Sequence, residues 1–175
     1  LDPNVLSGDE DAPLPQREHK VPLLHFLADL ASPSDYSTHQ NQLIIAKQLI
    51  ARGANPNTVS NPKRETPLHK ACSAVNVTNL DFVEYLLEVG ADPNARDILE
   101  LTPLMFSGSY APSAAKFLLN LPSTQVNVTS RSGESFLDIV KSIIKMYSNA
   151  KTIEDQLLFQ QWRGVEEMLL ERGAQ

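Results

Sequence analysis

One stretch, from Thr66 to Leu104, limits the choice of folds more than anything else in the chain. It reads TPLHKACSAVNVTNLDFVEYLLEVGADPNARDILELTPL, and its opening Thr-Pro-Leu returns at Thr102, 36 residues on. Self-copying at such a spacing is the mark of a stacked repeat. Thr66 is suited to cap a helix, because its hydroxyl can accept from an orphan amide of the first turn. Pro67 fits the next position, where no amide donor is needed and φ is already near helical. Leu68, Ala71 and Cys72 fall at i, i+3 and i+4, one narrow face of a short helix, and the two small residues leave room for a neighbour. After a polar break from Ser73 to Asn79, Phe82, Val83, Leu86 and Leu87 outline a second helix. Gly90 ends it, since glycine accepts the left-handed conformation common there. Asp92-Pro93-Asn94 is turn chemistry. Two short helices cannot bury both of their faces, so the unit requires copies of itself on each side.

Thr66-Pro67-Leu68-His69, Phe82-Val83 with Leu86-Leu87, and Gly90-Ala91-Asp92-Pro93-Asn94-Ala95 together resemble an ankyrin repeat. The resemblance implies an all-α solenoid of stacked helix-turn-helix units joined by short β-hairpin-like turns. Four units are expected, at about 21–65, 66–101, 102–134 and 135–175, after an irregular, acidic, proline-containing arm at 1–20. In the first unit Val21-Pro22-Leu23-Leu24 matches Thr66 to His69, and Phe26-Leu27 matches Ala71-Cys72. Its second helix is expected at 42–52 with Ile45, Leu49 and Ile50 inward, after an insertion at 31–41. The remaining helices are expected near 22–30, 67–74, 80–89, 103–109, 112–121, 136–147 and 162–172. A second insertion spans 141–162, with an extra helix at 152–161, and Val165, Leu169 and Leu170 close the last unit. The family usually places glycine two residues before the Thr-Pro pair, where this chain has Arg64, Glu100 and Gly133. If the left-handed conformation is kept, Arg64 and Glu100 each cost on the order of 1 kcal/mol; otherwise those two turns bend differently.

Composition narrows the chemistry. A chain of 175 residues suffices for one globular domain or a short repeat array. A formal net charge of −6 lacks the basic footprint expected of a nucleic-acid binder. No apolar run approaches the length that spans a membrane, and no basic-then-apolar leader is present. The single cysteine, Cys72, has no internal partner for a disulfide, which fits the cytoplasm or the nucleus. His69 and Cys72 lie at i and i+3, but a nucleophile also needs a cleft and oxyanion donors. The plainer reading has the histidine bonding to backbone and the cysteine packing as a small apolar group. His25 with His69 and Cys72 lacks a second paired-ligand motif for a metal, and no phosphate-binding loop is present. Neither catalytic residues, nor a cofactor, nor a metal are expected.

Recognition remains. The resemblance implies a concave face, made of hairpin tips and the exposed side of the first helices, that holds a partner protein or peptide while the chain itself is a monomer. Mapped through the Thr-Pro anchors, that face comprises Ser60, Pro62, Lys63 and Glu65, with Ser73 and Ala74 on the following helix. The next tip supplies Arg96, Ile98, Leu99 and Leu101, with Ser109 and Tyr110, and the last supplies Thr129, Arg131, Ser132 and Glu134. Ile98, Leu99, Leu101 and Tyr110 stand out, because apolar groups at tip positions either anchor a partner or pack on the neighbouring tip. Two further functions share these features. The chain would serve as a regulatory or scaffold part of a larger enzyme. Alternatively Asn94, preceded by Asp92 and Leu86, resembles ankyrin asparagines that an oxygenase hydroxylates.

Overall fold

The structure, a computed structural model, describes residues 6–7, 21–29, 36–73, 80–108 and 111–175. Eight helices lie among them: α1 Leu23–Asp29, α2 Tyr36–Ala51, α3 Pro67–Ser73, α4 Leu80–Glu88, α5 Pro103–Ser107, α6 Pro112–Leu119, α7 Phe136–Tyr147 and α8 Ile153–Glu171. Two short strands, β1 Leu6–Ser7 and β2 Val21–Pro22, pair antiparallel ahead of α1. Odd-numbered helices pack in one row, α1 on α3, α3 on α5 and α5 on α7. Even-numbered helices pack in a second row, α2 on α4, α4 on α6 and α6 on α8. The result is the all-α stack of helix pairs that the sequence implies.

The first helices α3, α5 and α7 each start from a hydroxyl-bearing residue, Thr66, Thr102 and Ser135. Thr102 caps α5, its hydroxyl accepting from the Met105 amide, with Pro103 in the first turn. Ser135 caps α7 in a reciprocal box: its hydroxyl accepts from the Asp138 amide while the Asp138 carboxylate accepts from the Ser135 amide. The Ser135 hydroxyl, which also donates to the Asp138 carboxylate at 2.6 Å, and then the Ser135 amide hold that carboxyl below its ordinary range. Small residues bring the helices close. A Cβ added at Gly108 would lie 2.8 Å from Ile139 Cγ2, so α5 and α7 approach through a position where only hydrogen fits.

The first pair is shifted by one residue from the expected alignment. Leu24, Leu68, Leu104 and Leu137 are the buried leucines of the four first helices, and His25 lies where His69 lies. Pro22 therefore stands in the place of Thr66, and Leu27 and Ala28 stand in the places of Ala71 and Cys72. Phe26 turns to the surface. Val21-Pro22 had imitated Thr-Pro one step early. Ile45, expected inward, is exposed as well. The second helix of this pair starts at Tyr36, inside the expected insertion.

At the other end, the expected extra helix and the closing helix are one continuous element, α8. The break comes earlier, at 148–152, where Thr152 caps α8 by accepting from the Asp155 amide at 3.1 Å. Trp162, Val165 and Leu169 face inward, whereas Leu170 is exposed. Arg172 then closes the end. Its guanidinium donates to the carbonyls of Leu119 (2.8 Å), Leu121 (3.0 Å), Pro122 (3.4 Å) and Thr124 (2.7 Å), just past the C-terminus of α6. A cation is favoured at that end of a helix.

Candidate interaction surface

Between helix pairs the chain runs out into hairpins, each closed by the same rung. The Ser60 amide donates to the Glu65 carbonyl at 2.8 Å, Asp97 to Leu101 at 3.1 Å, and Ser130 to Glu134 at 2.9 Å. The first hairpin carries one residue more than the other two. Both nonglycine residues at the tip keep the left-handed conformation, Arg64 at φ 59° and Glu100 at φ 62°, as Gly133 does at 86°. Local bonds hold this unfavourable backbone in place. The Asp97 carboxylate accepts from the Leu99 and Leu101 amides, both at 2.8 Å, and Arg96 pairs with Glu100 at 2.9 Å. Asp97 was not singled out from the sequence. An aspartate two residues ahead of a tip is a recognisable turn former, and that signal could have found it.

Neighbouring tips are tied through backbone. The Ile98 amide donates to the Lys63 carbonyl at 2.9 Å, and the Arg131 amide to the Leu99 carbonyl at 2.8 Å. Between the last two tips lies an open-sided groove of about 410 Å³, lined by Leu99, Leu101, Ser130, Arg131, Ser132 and Glu134. Five of those six were expected on sequence grounds; Ser130 was not. Its hydroxyl lies 2.8 Å from that of Ser132 and accepts from the Glu134 amide. Leu99 is 52% exposed and Ile98 42%, while Leu101 is half-buried against the core. Thr129 is exposed beside the groove and forms a bridge to Ser135.

Other expected members of the surface behave differently. Pro62, Lys63 and Arg96 are exposed, and Ser73 is half-buried with its hydroxyl donating to the Lys70 carbonyl. Ser60 and Glu65 are buried, because they form the rung at the base of the hairpin rather than its tip. The Glu65 carboxylate is held by Lys70 at 2.9 Å and by Lys63 at 3.9 Å. These two side chains leave the candidate surface. Ala74, Ser109 and Tyr110 lie outside the described residues.

His69 ties one helix pair to the next. Its Nε2 donates to the Leu101 carbonyl at 3.0 Å, and its Nδ1 accepts from the Thr66 amide at 3.0 Å. Burial pushes its pKa below the ordinary value, with the bond to Leu101 opposing. His25 repeats the first bond, to the Glu65 carbonyl, and burial lowers its pKa also. Its Nδ1 has no partner among the described residues, because Pro22 offers neither the amide nor the hydroxyl that Thr66 gives His69. Cys72 is fully buried and its thiol is pushed up to about 12, so it is no nucleophile at neutral pH. Among the described residues no group of three His, Cys, Asp or Glu side chains converges, and no helix is long and apolar enough to cross a membrane.

Asn94, the modification candidate, belongs to a row of staples on the opposite edge. Its amide nitrogen donates to the Ser123 carbonyl and its oxygen accepts from the Gln125 amide, both at 2.8 Å. Asn57 does the same to Gly90 and Asp92, and Asn127 to Gly173 and Gln175.

Comparison with known proteins agrees with this architecture. A family model described as ankyrin repeats in three copies matches residues 36–132. An ankyrin repeat protein of fowlpox virus (strain NVSL), FPV230, is 43% identical over 65 residues, 37% of this chain and 32% of its own. The glycerophosphocholine phosphodiesterase gde1 of Schizosaccharomyces pombe is 30% identical over 112 residues, 62% of this chain but 10% of its own. The mouse ankyrin repeat domain-containing protein 37 is 28% identical over 96 residues, 55% of this chain and 58% of its own. The chain thus spans less than two thirds of the length of each of these relatives.

Proposed function

The chain belongs to the ankyrin-repeat family, and on that premise we propose that it is a protein-binding module whose partner, a protein or peptide, lies across the hairpin tips. The observation that carries this reading is the groove between the 97–101 and 130–134 tips, with Leu99 raised on one wall and Arg131 and Glu134 on the other. Apolar side chains exposed at a tip do nothing for the fold, and an apolar centre rimmed by charge is the usual make-up of a binding hot spot. The tip backbone is fixed in advance by Asp97, so little order has to be gained on binding. Buried Cys72 and the doubly bonded His69 support a module without chemistry of its own.

Proteins captured from lysate by the wild-type chain, identified by mass spectrometry and then measured by calorimetry, test the assignment. Leu99→Ala with Ile98→Ala should weaken a captured partner by about 2 kcal/mol or more. Glu84→Ala, on the exposed face of α4, should leave it unchanged. Wild-type affinity for the tip variant together with loss for Glu84→Ala would move the partner to the convex side.

A second reading has one observation in its favour. The yeast phosphodiesterase aligns with 62% of this chain through only a tenth of its own length. The same module would then regulate or scaffold a larger enzyme, with catalysis outside these residues. Separation of the two rests on the sequence of the whole polypeptide that contains this chain.

A further inference from the structure

Four helix pairs allow the same position to be compared with and without a preceding neighbour. Eight residues before the glycine that ends the second helix lie Ile45, Phe82 and Val165, and the matching residue of α6 is Ala114. Phe82, Ala114 and Val165 are 3%, 0% and 0% exposed, while Ile45 is 44% exposed. The first residue of the first helix behaves alike. Pro67, Pro103 and Phe136 are buried, but Leu23 is 38% exposed. Phe26 and Ile44, on the same two helices, are exposed as well. The difference follows the packing order: α4 sits on α2, α6 on α4 and α8 on α6, and only the first pair has no predecessor among the described residues. Isoleucine and leucine at positions that three other copies keep dry are out of place on a free surface.

A second observation says what covers those positions. β1 pairs with β2 in the register Leu6↔Pro22 and Ser7↔Val21. Pro22 takes the place of Ser135, so Leu6↔Pro22 repeats the Thr129↔Ser135 bridge, and Ser7↔Val21 repeats the rungs Asp97–Leu101 and Ser130–Glu134. β1 therefore pairs with the strand ahead of α1 as the outgoing strands of the other hairpins pair ahead of α3, α5 and α7. In every other copy the outgoing strand is reached from the exit turn of the preceding pair, with the staple asparagine three residues before the rung: Asn57 and Ser60, Asn94 and Asp97, Asn127 and Ser130. The sequence supplies the same interval here, Asn4 and Ser7, inside Leu1-Asp2-Pro3-Asn4, which repeats Ala91-Asp92-Pro93-Asn94.

We propose that the α1–α2 face is a stacking interface for one further helix pair of the ankyrin type, preceding β1 in the order of the array. The inference is independent of the tip groove and concerns a different side of the molecule. The occupant is fixed by continuity, since the same two rows of helices that carry α3 on α1 and α4 on α2 are extended by one step.

The test joins one consensus ankyrin helix pair to the full chain, in frame before Leu1. Hydrogen exchange of the α2 amides from 42 to 51 should slow roughly tenfold or more relative to the unextended chain, because these amides then open only with the added pair. Ile45→Lys should remove that gain while leaving the unextended chain's urea midpoint unchanged, as an already exposed side chain allows. Unchanged exchange in the extended chain would overturn the proposal, and so would a gain that survives Ile45→Lys. Sedimentation equilibrium adds a third outcome against it. A concentration-dependent dimer of the unextended chain that Ile45→Lys dissolves would make the occupant a second copy.

Discussion

At the C-terminal end of the array Trp162 is fully buried, Val165 and Leu169 lie beside it on α8, and Arg172 gathers four carbonyls of the turn past α6. At the N-terminal end Leu23, Phe26, Ile44 and Ile45 lie on the surface, and His25 Nδ1 is buried without a partner among the described residues. Both ends use the same helix pair. The contrast teaches that a repeat is finished by what it adds, not by the repeat itself. An end unit with nothing stacked on it leaves apolar positions wet unless the helix is lengthened and its turn is clamped.

If that contrast is right, the heaviest loss should come from the closed end. Trp162→Ala removes the largest fully buried side chain and should cost about 3–5 kcal/mol in urea melts followed by circular dichroism. A loss below about 1 kcal/mol would mean that α8 adds little to the stack. Leu86→Ala, between neighbours on both sides, sets the internal reference at about 2–5 kcal/mol. Arg172→Ala should cost about 1–3 kcal/mol, the range for charge-assisted bonds, and should raise amide exchange around 119–124 first. Loss spread evenly through the array would show that the clamp is not local.

Acid should then bear on the other half. Burial holds the pKa values of His25 and His69 below 6.5, so in the folded state both stay neutral while the unfolded chain takes up protons. Stability is full above pH 6.5 and falls as the pH drops from there towards the folded values. The nearby Glu65 and Asp97 carboxylates soften the effect on His69. A urea midpoint flat between pH 7.5 and 5 would contradict it. The smallest effects belong to exposed positions at either end. Leu170→Ala and Ile45→Ala should each change stability by about 0.5 kcal/mol or less in this chain. A large loss for Ile45→Ala would mean that the N-terminal face is already covered.

Most of the architecture was legible because each repeat announces its boundaries. Thr102 and Ser135 cap where the sequence places them, and Gly53, Gly90, Gly133 and Gly173 all adopt positive φ. The misread features share a cause, which is competition between two adjacent solutions of equal local appeal. Val21-Pro22 copies Thr-Pro, and only the burial of Leu24 and His25 shows that the true match starts at Pro22. Ser60 and Glu65 occupy the right segment, but the rung between them is a matter of pairing across the hairpin, which spacing alone does not resolve. The sequence marks Ile98, Leu99, Leu101 and Tyr110 as an apolar cluster, and of these Leu99 and Leu101 line the groove. Arg131, Ser132 and Glu134 were expected there too, but the Arg131–Leu99 backbone bond that joins the two hairpins is a tertiary contact with no signature in either segment.

Trp162 also has an optical consequence, for it is the chain's single tryptophan. Its emission reports the solvent around the last helix pair and nothing of the first, whereas far-ultraviolet dichroism averages over every helix. In a quasi-one-dimensional array, where each pair touches only its neighbours, the two signals need not change together. If the open end frays first, ellipticity will decline while the indole is still dry, and the fluorescence midpoint will lie at the higher denaturant concentration. A melt followed by tryptophan alone would therefore describe the last part of the molecule to come apart, and would overstate the stability of the rest.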